Sequence, residues 1–293
     1  MIKLIRSSIK KNRFLRKLFG YYLPSSGLFD SVFRKYTLDS SWKERINYVL
    51  SSSDNDLIPK VKDAGLIKRG KQIMHNGLKI HLGSYYGPEY SKMLILSKGI
   101  HEPQEERIFG EVLKHMRANA TMIEMGAYWS FYSMWFHKDV ENAKNFMIEP
   151  DEFNLGQGKR NFELNKLSGN FTQAFVGKAY EKGNPDIISV DYFMEKNDLK
   201  FIDLLHSDIQ GFEVEMLYGA TKALKNQLIN YIFISTHSNE LHYKCIDIIS
   251  SYEYKILQSI DIDESFSEDG LIVAKLKNDD DYPQIELSRR HTS

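Results

Sequence analysis

The chain has 293 residues, 42% of them apolar and 13% aromatic, so it can bury one substantial core with a small appendage. Its 39 basic residues balance 39 acidic ones, and the lone cysteine, Cys245, excludes an internal disulfide framework and fits a reducing compartment. No apolar run reaches the roughly 20 residues of a membrane-spanning helix, and the start lacks the features of a secretory signal, so we expect a cytoplasmic protein.

The basic residues are concentrated at the start of the chain. Residues 1–36 hold nine Lys or Arg against one acid, and apolar residues recur among them at roughly helical spacing. Such a cationic amphipathic segment can lie on the inner face of an anionic membrane, or it can dock on its own domain. We predict a basic amphipathic segment over residues 1–40, with peripheral membrane contact through residues 1–36 as one of the two hypotheses. The remaining chain carries 30 basic and 38 acidic residues, which disfavours nucleic acid as a partner.

Residues 41–100 are predicted to form a connector that contains a β-hairpin. The stretch from Lys71 to Gly83 alternates around Asn76-Gly77, a dipeptide typical of a type I′ turn. Short helical pieces and turn signals such as "SSSDND" surround it. Together with the basic segment, the connector makes an N-terminal helical and hairpin extension.

Residues 101–278 predict a domain of alternating strands and helices, and residues 279–293 a polar tail. After a helix in "HEPQEERIFGEVLKHM", the expected strands are "TMIEMG", "NFMIEP", "NFTQAFVG", "FIDLLHSDI", "YIFISTH", "YKILQSI" and "GLIVAKL", with helical patterns between most of them. This alternation predicts an α/β fold with a mostly parallel seven-stranded sheet and helices on both faces.

A cofactor site is expected at the ends of the first two strands of this domain. Gly126 closes the first strand and lets the backbone approach a ligand, and Glu149 ends the second strand 25 residues after Glu124. An acid in that place can accept two hydrogen bonds from a ribose diol. The loop "GAYWSF" lacks the further glycines that a pyrophosphate needs, so a nucleoside without phosphates fits better.

The order and spacing of "MIEMGAYWSFYS", "FMIEP", "ISVDYF", "LLHSDIQGFEVEMLYGA" and "IFISTHS" resemble the FkbM family of S-adenosylmethionine (SAM)-dependent methyltransferases, over about residues 101–275. The resemblance implies a Rossmann-like class I methyltransferase fold and a cofactor site that includes Glu124, Gly126, Ala127, Tyr128, Glu149, Pro150 and Asp191. Tyr128 and Ser130 replace an Asn and a Gly of the family motif, while His206 and Gln210 replace a Lys and a Glu.

The next two strands end in polar residues that we expect to form one site. Asp208 lies two residues after His206, and His237 ends the neighbouring strand, whose axis lies about 4.8 Å away. Methyl transfer to a hydroxyl requires alignment of that hydroxyl and an acceptor for its proton. Asp208, His206 and His237 could hold a divalent ion such as Mn²⁺, Mg²⁺ or Fe²⁺, or act without metal, with Asp208 orienting a histidine base.

The sequence thus predicts a SAM-dependent O-methyltransferase that acts on a sugar or glycan hydroxyl, as the family often does; a lipid-linked or surface polysaccharide precursor fits the basic start. A homodimer is compatible with the sequence. Two rival hypotheses are a non-catalytic scaffold, which the Tyr128 and Ser130 replacements suggest, and a nucleotide-sugar oxidoreductase, which shares the strand–helix order.

Overall fold

The computed structural model describes residues 12–277 and 281–290, and a seven-stranded sheet forms its centre. The sheet strands are β4 (Thr121–Met125), β5 (Lys144–Ile148), β6 (Asn170–Thr172), β9 (Ile202–Ser207), β10 (Ile229–Thr236), β11 (Tyr254–Ile260) and β12 (Gly270–Leu276). Their order is β11-β12-β10-β9-β4-β5-β6. β12 is antiparallel to both of its neighbours, whereas β10, β9, β4, β5 and β6 pair in parallel. The predicted mostly parallel sheet is confirmed.

Helices cover both faces of the sheet. They are α7 (Pro103–Leu113), α8 (Phe131–Asp139), α9 (Glu152–Leu164), α10 (Val190–Lys196), α11 (Glu213–Tyr218), α12 (Thr221–Lys225) and α13 (Asn239–Ser250). Successive residues of one strand face opposite sides, so Met122 packs in one apolar cluster and Ile123 in the other. All five residues of β4 are buried, as expected for a central parallel strand covered on both faces.

The N-terminal extension precedes this domain. It contains α1 (Arg13–Lys17), a π-helical turn (Leu18–Tyr22), α2 (Leu23–Ser25), α3 (Asp30–Arg34), α4 (Ser40–Ser51), α5 (Asp54–Leu57), β1 (Ile67–Lys68), β2 (Lys71–Ile73), β3 (Lys79–His81) and α6 (Pro88–Leu96). The hairpin β2–β3 is confirmed, but its predicted type I′ turn is wrong. That turn needs a positive φ at both central residues, and in this loop Gly77, at φ 86°, has one whereas Asn76 does not.

Two further details of the domain differ from the sequence patterns. The stretch "NFTQAFVG" is divided at Gln173 into β6 and β7 (Ala174–Val176), and β7 pairs with β8 (Asp186–Ile188) in a separate two-stranded sheet. The helix predicted over "FEVEMLYGATKAL" is divided into α11 and α12.

The described part of the basic N-terminal segment docks on α9 at its start. Arg16 binds the Asp151 carboxylate through its two terminal guanidinium nitrogens, at 2.8 and 2.9 Å, and lies over the Phe153 ring. The Tyr21 ring stacks on the Phe153 ring as well, with centroids 4.3 Å apart. Arg16 and Tyr21 thus attach the segment to its own domain, while residues 1–11 lie outside the described residues. In the described ranges no helix is long and apolar enough to cross a membrane.

Candidate active site

The tips of β4, β5 and β9 meet around Gly126. Its N–H donates to the Ile148 carbonyl at 2.9 Å, and the Asp208 N–H donates to the Met125 carbonyl at 2.9 Å. Gly126 has φ 77°, and a Cβ at this position would overlap the Asp208 carbonyl. Glycine is therefore required here for two reasons, its left-handed backbone and the close approach of the β9 tip.

The loop after Gly126 keeps a left-handed backbone at two residues that are not glycine. Tyr128 has φ 37° and Ser130 has φ 60°, at the positions where the family motif has Asn and Gly. Asn and Gly adopt this backbone with less strain than Tyr or Ser. Gly158 on α9 makes room for the change, because a Cβ there would overlap the Ser130 hydroxyl. The two departures from the motif thus alter the side chains and preserve the loop.

Glu149 lies at the tip of β5 and is held by the backbone around it. Its Oε2 accepts a hydrogen bond from the Tyr128 N–H at 3.2 Å and its Oε1 from the Asp151 N–H at 3.0 Å. Burial raises the pKa of this carboxyl. A carboxylate oxygen has two lone pairs, so Glu149 can accept further hydrogen bonds from a diol.

A cavity of about 490 Å³ opens in front of these strand tips. It is lined by Tyr86, Gly126, Tyr128, Glu149, Pro150, Asn154, Phe175, Val176, Ile187, Asp208, Ile209, Gln210 and Phe212. This volume is in the range of small-molecule sites, and an apolar wall with a few polar groups is typical of them. A nucleoside fits these residues: Glu149 can take the ribose hydroxyls, and the apolar residues of β7 and of the β9 loop can take a base.

Four of the seven predicted cofactor residues line this cavity, namely Gly126, Tyr128, Glu149 and Pro150. The structure places the other three elsewhere. Glu124 is buried and accepts the Ser133 N–H at 3.2 Å, Ala127 is buried, and Asp191 accepts the N–H groups of Lys222 and Ala223 at the start of α12. Their positions support the fold around the cavity.

Asp208 and His237 come together beside the cavity, as predicted from the two strand ends. The His237 Nε2 lies 3.3 Å from Asp208 Oδ1 and 3.3 Å from Asp269 Oδ1, and its Nδ1 lies 2.7 Å from Glu213 Oε1. Burial lowers the pKa of His237, but hydrogen bonds to Asp208 and Glu213 and the charge of Asp269 raise it to about 10. The Gln210 amide nitrogen lies 2.7 Å from His237 Nε2 and donates to Asp208 Oδ1 at 3.2 Å.

In the structure His206 lies apart from this pair of side chains, so it does not complete the predicted set of His206, Asp208 and His237. The His206 ring is 2% exposed, and Nε2 binds Glu105 Oε1 at 2.6 Å. The ring also packs on Tyr132, with centroids 4.4 Å apart. Strand alternation puts His206 and Asp208 on one side, but β9 ends at Ser207, so Asp208 turns toward the cavity while His206 stays under α7.

The metal set of His206, Asp208 and His237 is therefore not assembled. Within residues 12–277 and 281–290, no group of three or more His, Cys, Asp or Glu side chains is arranged to hold a metal ion. Asp208 and His237 instead contact each other directly.

The sequence patterns missed Asp269 and the role of Glu213. Burial, and after it the neighbouring Asp208, raise the pKa of Asp269 to about 8. Asp269 directly precedes β12. Because β12 is antiparallel to β10, the start of β12 lies at the same sheet edge as the end of β10. The acidic pair "ED" directly before "GLIVAKL" was the signal that could have located it.

Residues 168–256 match the family described as the methyltransferase FkbM domain, which confirms the resemblance over that part of the chain. No curated protein matches the sequence. The similar solved structures include precorrin-6y C5,15-methyltransferase from Geobacter metallireducens, at 13% identity and TM-score 0.42 over 59% of this chain and 88% of that one.

Two others are the ribosomal protein L11 methylase from Lactobacillus delbrueckii subsp. bulgaricus and TrmK from M. capricolum in complex with S-adenosylhomocysteine (SAH). The first has 11% identity and TM-score 0.42 over 66% of this chain and 81% of that one. The second has 15% identity and TM-score 0.38 over 61% and 70%. The fold assignment rests on the strand order of this chain, which is Rossmann-like, and the FkbM match adds the class of enzyme.

Proposed function

We propose that this chain, a SAM-dependent methyltransferase with an FkbM-type domain, transfers a methyl group to a hydroxyl of a sugar or glycan. The observation that carries the proposal is the position of Asp208, which lines the cavity together with Gly126 and Glu149 and also contacts His237. The cofactor residues and a proton acceptor therefore lie at one place. Bound SAM supplies an electrophilic methyl group on a sulfonium.

Asp208 accepts the proton of the acceptor hydroxyl as the new O–CH₃ bond forms and the S–CH₃ electron pair returns to sulfur. The His237 imidazolium beside it, fixed by Glu213, holds the Asp208 carboxylate in place and offsets its charge. Orientation of the hydroxyl and a positioned proton acceptor together supply the two requirements of the reaction. This arrangement uses protein groups alone.

The substrate class is supported by the rim of the cavity. The Tyr86 ring is 56% exposed and lines the cavity, and its backbone N–H donates to the Tyr128 hydroxyl at 3.0 Å. The apolar C–H face of a sugar ring can pack on such an aromatic surface, while Asp208 in the same cavity can accept its hydroxyls.

Replacement of Asp208 by Asn tests the mechanism. The variant is expected to lose methyl transfer at least ~100-fold, as for loss of a general base, while its affinity for SAH stays within a few-fold of wild type. Transfer is followed with radiolabelled SAM and a panel of glycan acceptors. Glu215→Gln, an exposed acid on the helix after this loop, is the control. A fully active Asp208→Asn variant would remove Asp208 from the mechanism.

We also propose peripheral contact with an anionic membrane through residues 1–36, which suits a lipid-linked glycan. Besides the excess of basic residues, the docked segment leaves Phe19, Tyr22, Leu28 and Val32 exposed. The protein is expected to sediment with phosphatidylglycerol vesicles and to stay in solution with phosphatidylcholine vesicles. Equal recovery with both would contradict the contact.

A further inference from the structure

A second cavity, of about 520 Å³, lies between α7 and α8 and is slightly larger than the one at the strand tips. Its walls come from residues 58–61, from His75 and Asn76 of the hairpin loop, and from the facing sides of the two helices. The two cavities share no lining residue. The methyl-transfer site therefore does not account for it.

One wall of this cavity is apolar. Ile58, Val61, Leu113 and the Trp135 indole contribute to it. The indole N–H is bound to Asp139 at 2.7 Å, and the ring lies against Gly110, where a Cβ would come within 3.0 Å of it. A larger residue at position 110 would collide with the indole. The absence of a side chain there keeps an apolar slot open beside the aromatic ring.

The polar side of the cavity favours an anion. Four cations and three carboxylates line it, and Arg107, Lys114 and Lys138 are paired with Glu111 or Asp139. The Lys60 ammonium is bound instead by the backbone carbonyls of Asn55 and Ile58, which leave its charge in place. Burial lowers the pKa of Lys60.

Two N–H donors in the wall support the same conclusion. The Nε of Arg107 and the Nδ2 of Asn76 are buried and have no hydrogen-bond partner in the described part of the chain. Buried donors are nearly always satisfied in folded proteins, so a donor without an acceptor at a cavity wall points to a bound acceptor. A carboxylate, sulfonate or phosphate would supply one.

We propose that the cavity between α7 and α8 is a second binding site, for a small amphipathic anion whose apolar body lies against Trp135 and whose charged group is held by Lys60. The lining chemistry requires both parts of the ligand. An inorganic anion would leave the apolar wall hydrated, and a neutral apolar molecule would leave the two N–H donors unsatisfied.

The fluorescent sulfonate 8-anilinonaphthalene-1-sulfonate is a suitable probe for the full-length protein. It is expected to bind saturably in the presence of saturating SAH. Lys60→Met should weaken binding about tenfold through loss of one charge-assisted contact, and Val61→Trp, at an exposed position of the wall, should abolish it by filling the cavity. Lys62→Met and Leu66→Trp are controls at exposed positions outside the cavity.

Competition defines the ligand class. Octanoate should displace the probe and inorganic phosphate should not, because phosphate lacks the apolar body. Additional displacement by phosphatidylglycerol vesicles would identify a membrane lipid as the source, and displacement by octanoate alone a soluble amphiphile. Displacement of the probe by SAH, or unchanged binding in Lys60→Met and Val61→Trp, would overturn the site. These outcomes do not depend on methyl transfer.

Discussion

The replacement Glu213→Gln is expected to lower the pKa of His237. Glu213 is fully buried, and its Oε1 accepts from His237 Nδ1 at 2.7 Å and from the Gly211 N–H at 2.9 Å. Glutamine keeps an oxygen acceptor in that place and removes the charge. A hydrogen bond to a charged group contributes about 1.5–3 kcal/mol, and the bond from the imidazolium to a neutral glutamine oxygen falls at the lower end of that range. The difference, ~1.4 kcal/mol, corresponds to a fall of ~1 in pKa, from about 10 to ~9.

Because the pKa of His237 is raised on folding, the free energy of unfolding depends on pH. The pKa of His237 is higher in the folded chain than its unfolded value near 6.5, so its stabilising contribution is complete below pH ~6.5 and is lost as pH rises through about 10. In Glu213→Gln this loss is complete ~1 pH unit lower.

The assay is an NMR titration of the His237 Cε1–H between pH 6 and 10.5, with chemical denaturation at the same pH values. Glu215→Gln, two residues along and exposed, is the control, and its titration should match wild type. An unchanged pKa of His237 in Glu213→Gln would refute the role given to Glu213.

Three further outcomes are expected. Gly126→Ala should weaken SAH binding, measured by calorimetry, by ~100-fold or more. The left-handed backbone costs an alanine ~1–2 kcal/mol, and the added Cβ also displaces the β9 tip at Asp208. Wild-type affinity in this variant would contradict the close approach of the β9 tip. Ser130→Gly should raise the free energy of unfolding by ~1 kcal/mol and Tm by ~2 °C. The glycine relieves the strain of a left-handed backbone and removes a buried hydroxyl that has no partner among the described residues. The helical control Ser133→Gly should lower both quantities, and a lower Tm for Ser130→Gly would contradict the strain. Methyl transfer should survive exhaustive EDTA treatment, whereas loss of activity that Mn²⁺ restores would replace the Asp208 mechanism with a metal-assisted one.

The sequence predicted the sheet because its signals are local. Buried strands such as "TMIEMG" and "YIFISTH" are short apolar runs that end at glycine or polar residues, and their alternation with helices dictates a parallel sheet. The division of "NFTQAFVG" at Gln173 was not predictable in the same way. β7 leaves the main sheet because it pairs with β8, a partner further along the chain with a weak strand pattern.

The candidate site was predicted in part for a related reason. Asp208 and His237 follow directly from two neighbouring strand ends, since parallel strands place those ends at one edge. The contact of His206 could not be predicted, because its partner, Glu105, lies on α7, 101 residues earlier, and no spacing along the chain connects the two. Asp269 was missed because β12 is antiparallel, so it is the start of this strand, directly after Asp269, that lies at that edge.

Calorimetric titration of SAH into wild type and Glu149→Gln tests the central claim most directly. Wild type should bind, and the variant should bind ~10- to 100-fold more weakly, because a ribose diol loses one charged acceptor worth about 1.5–3 kcal/mol. The exposed Glu152→Gln, three residues further on, should bind like wild type. No heat of binding for wild type at high micromolar SAH, or equal affinity in Glu149→Gln, would contradict a nucleoside site at these strand tips.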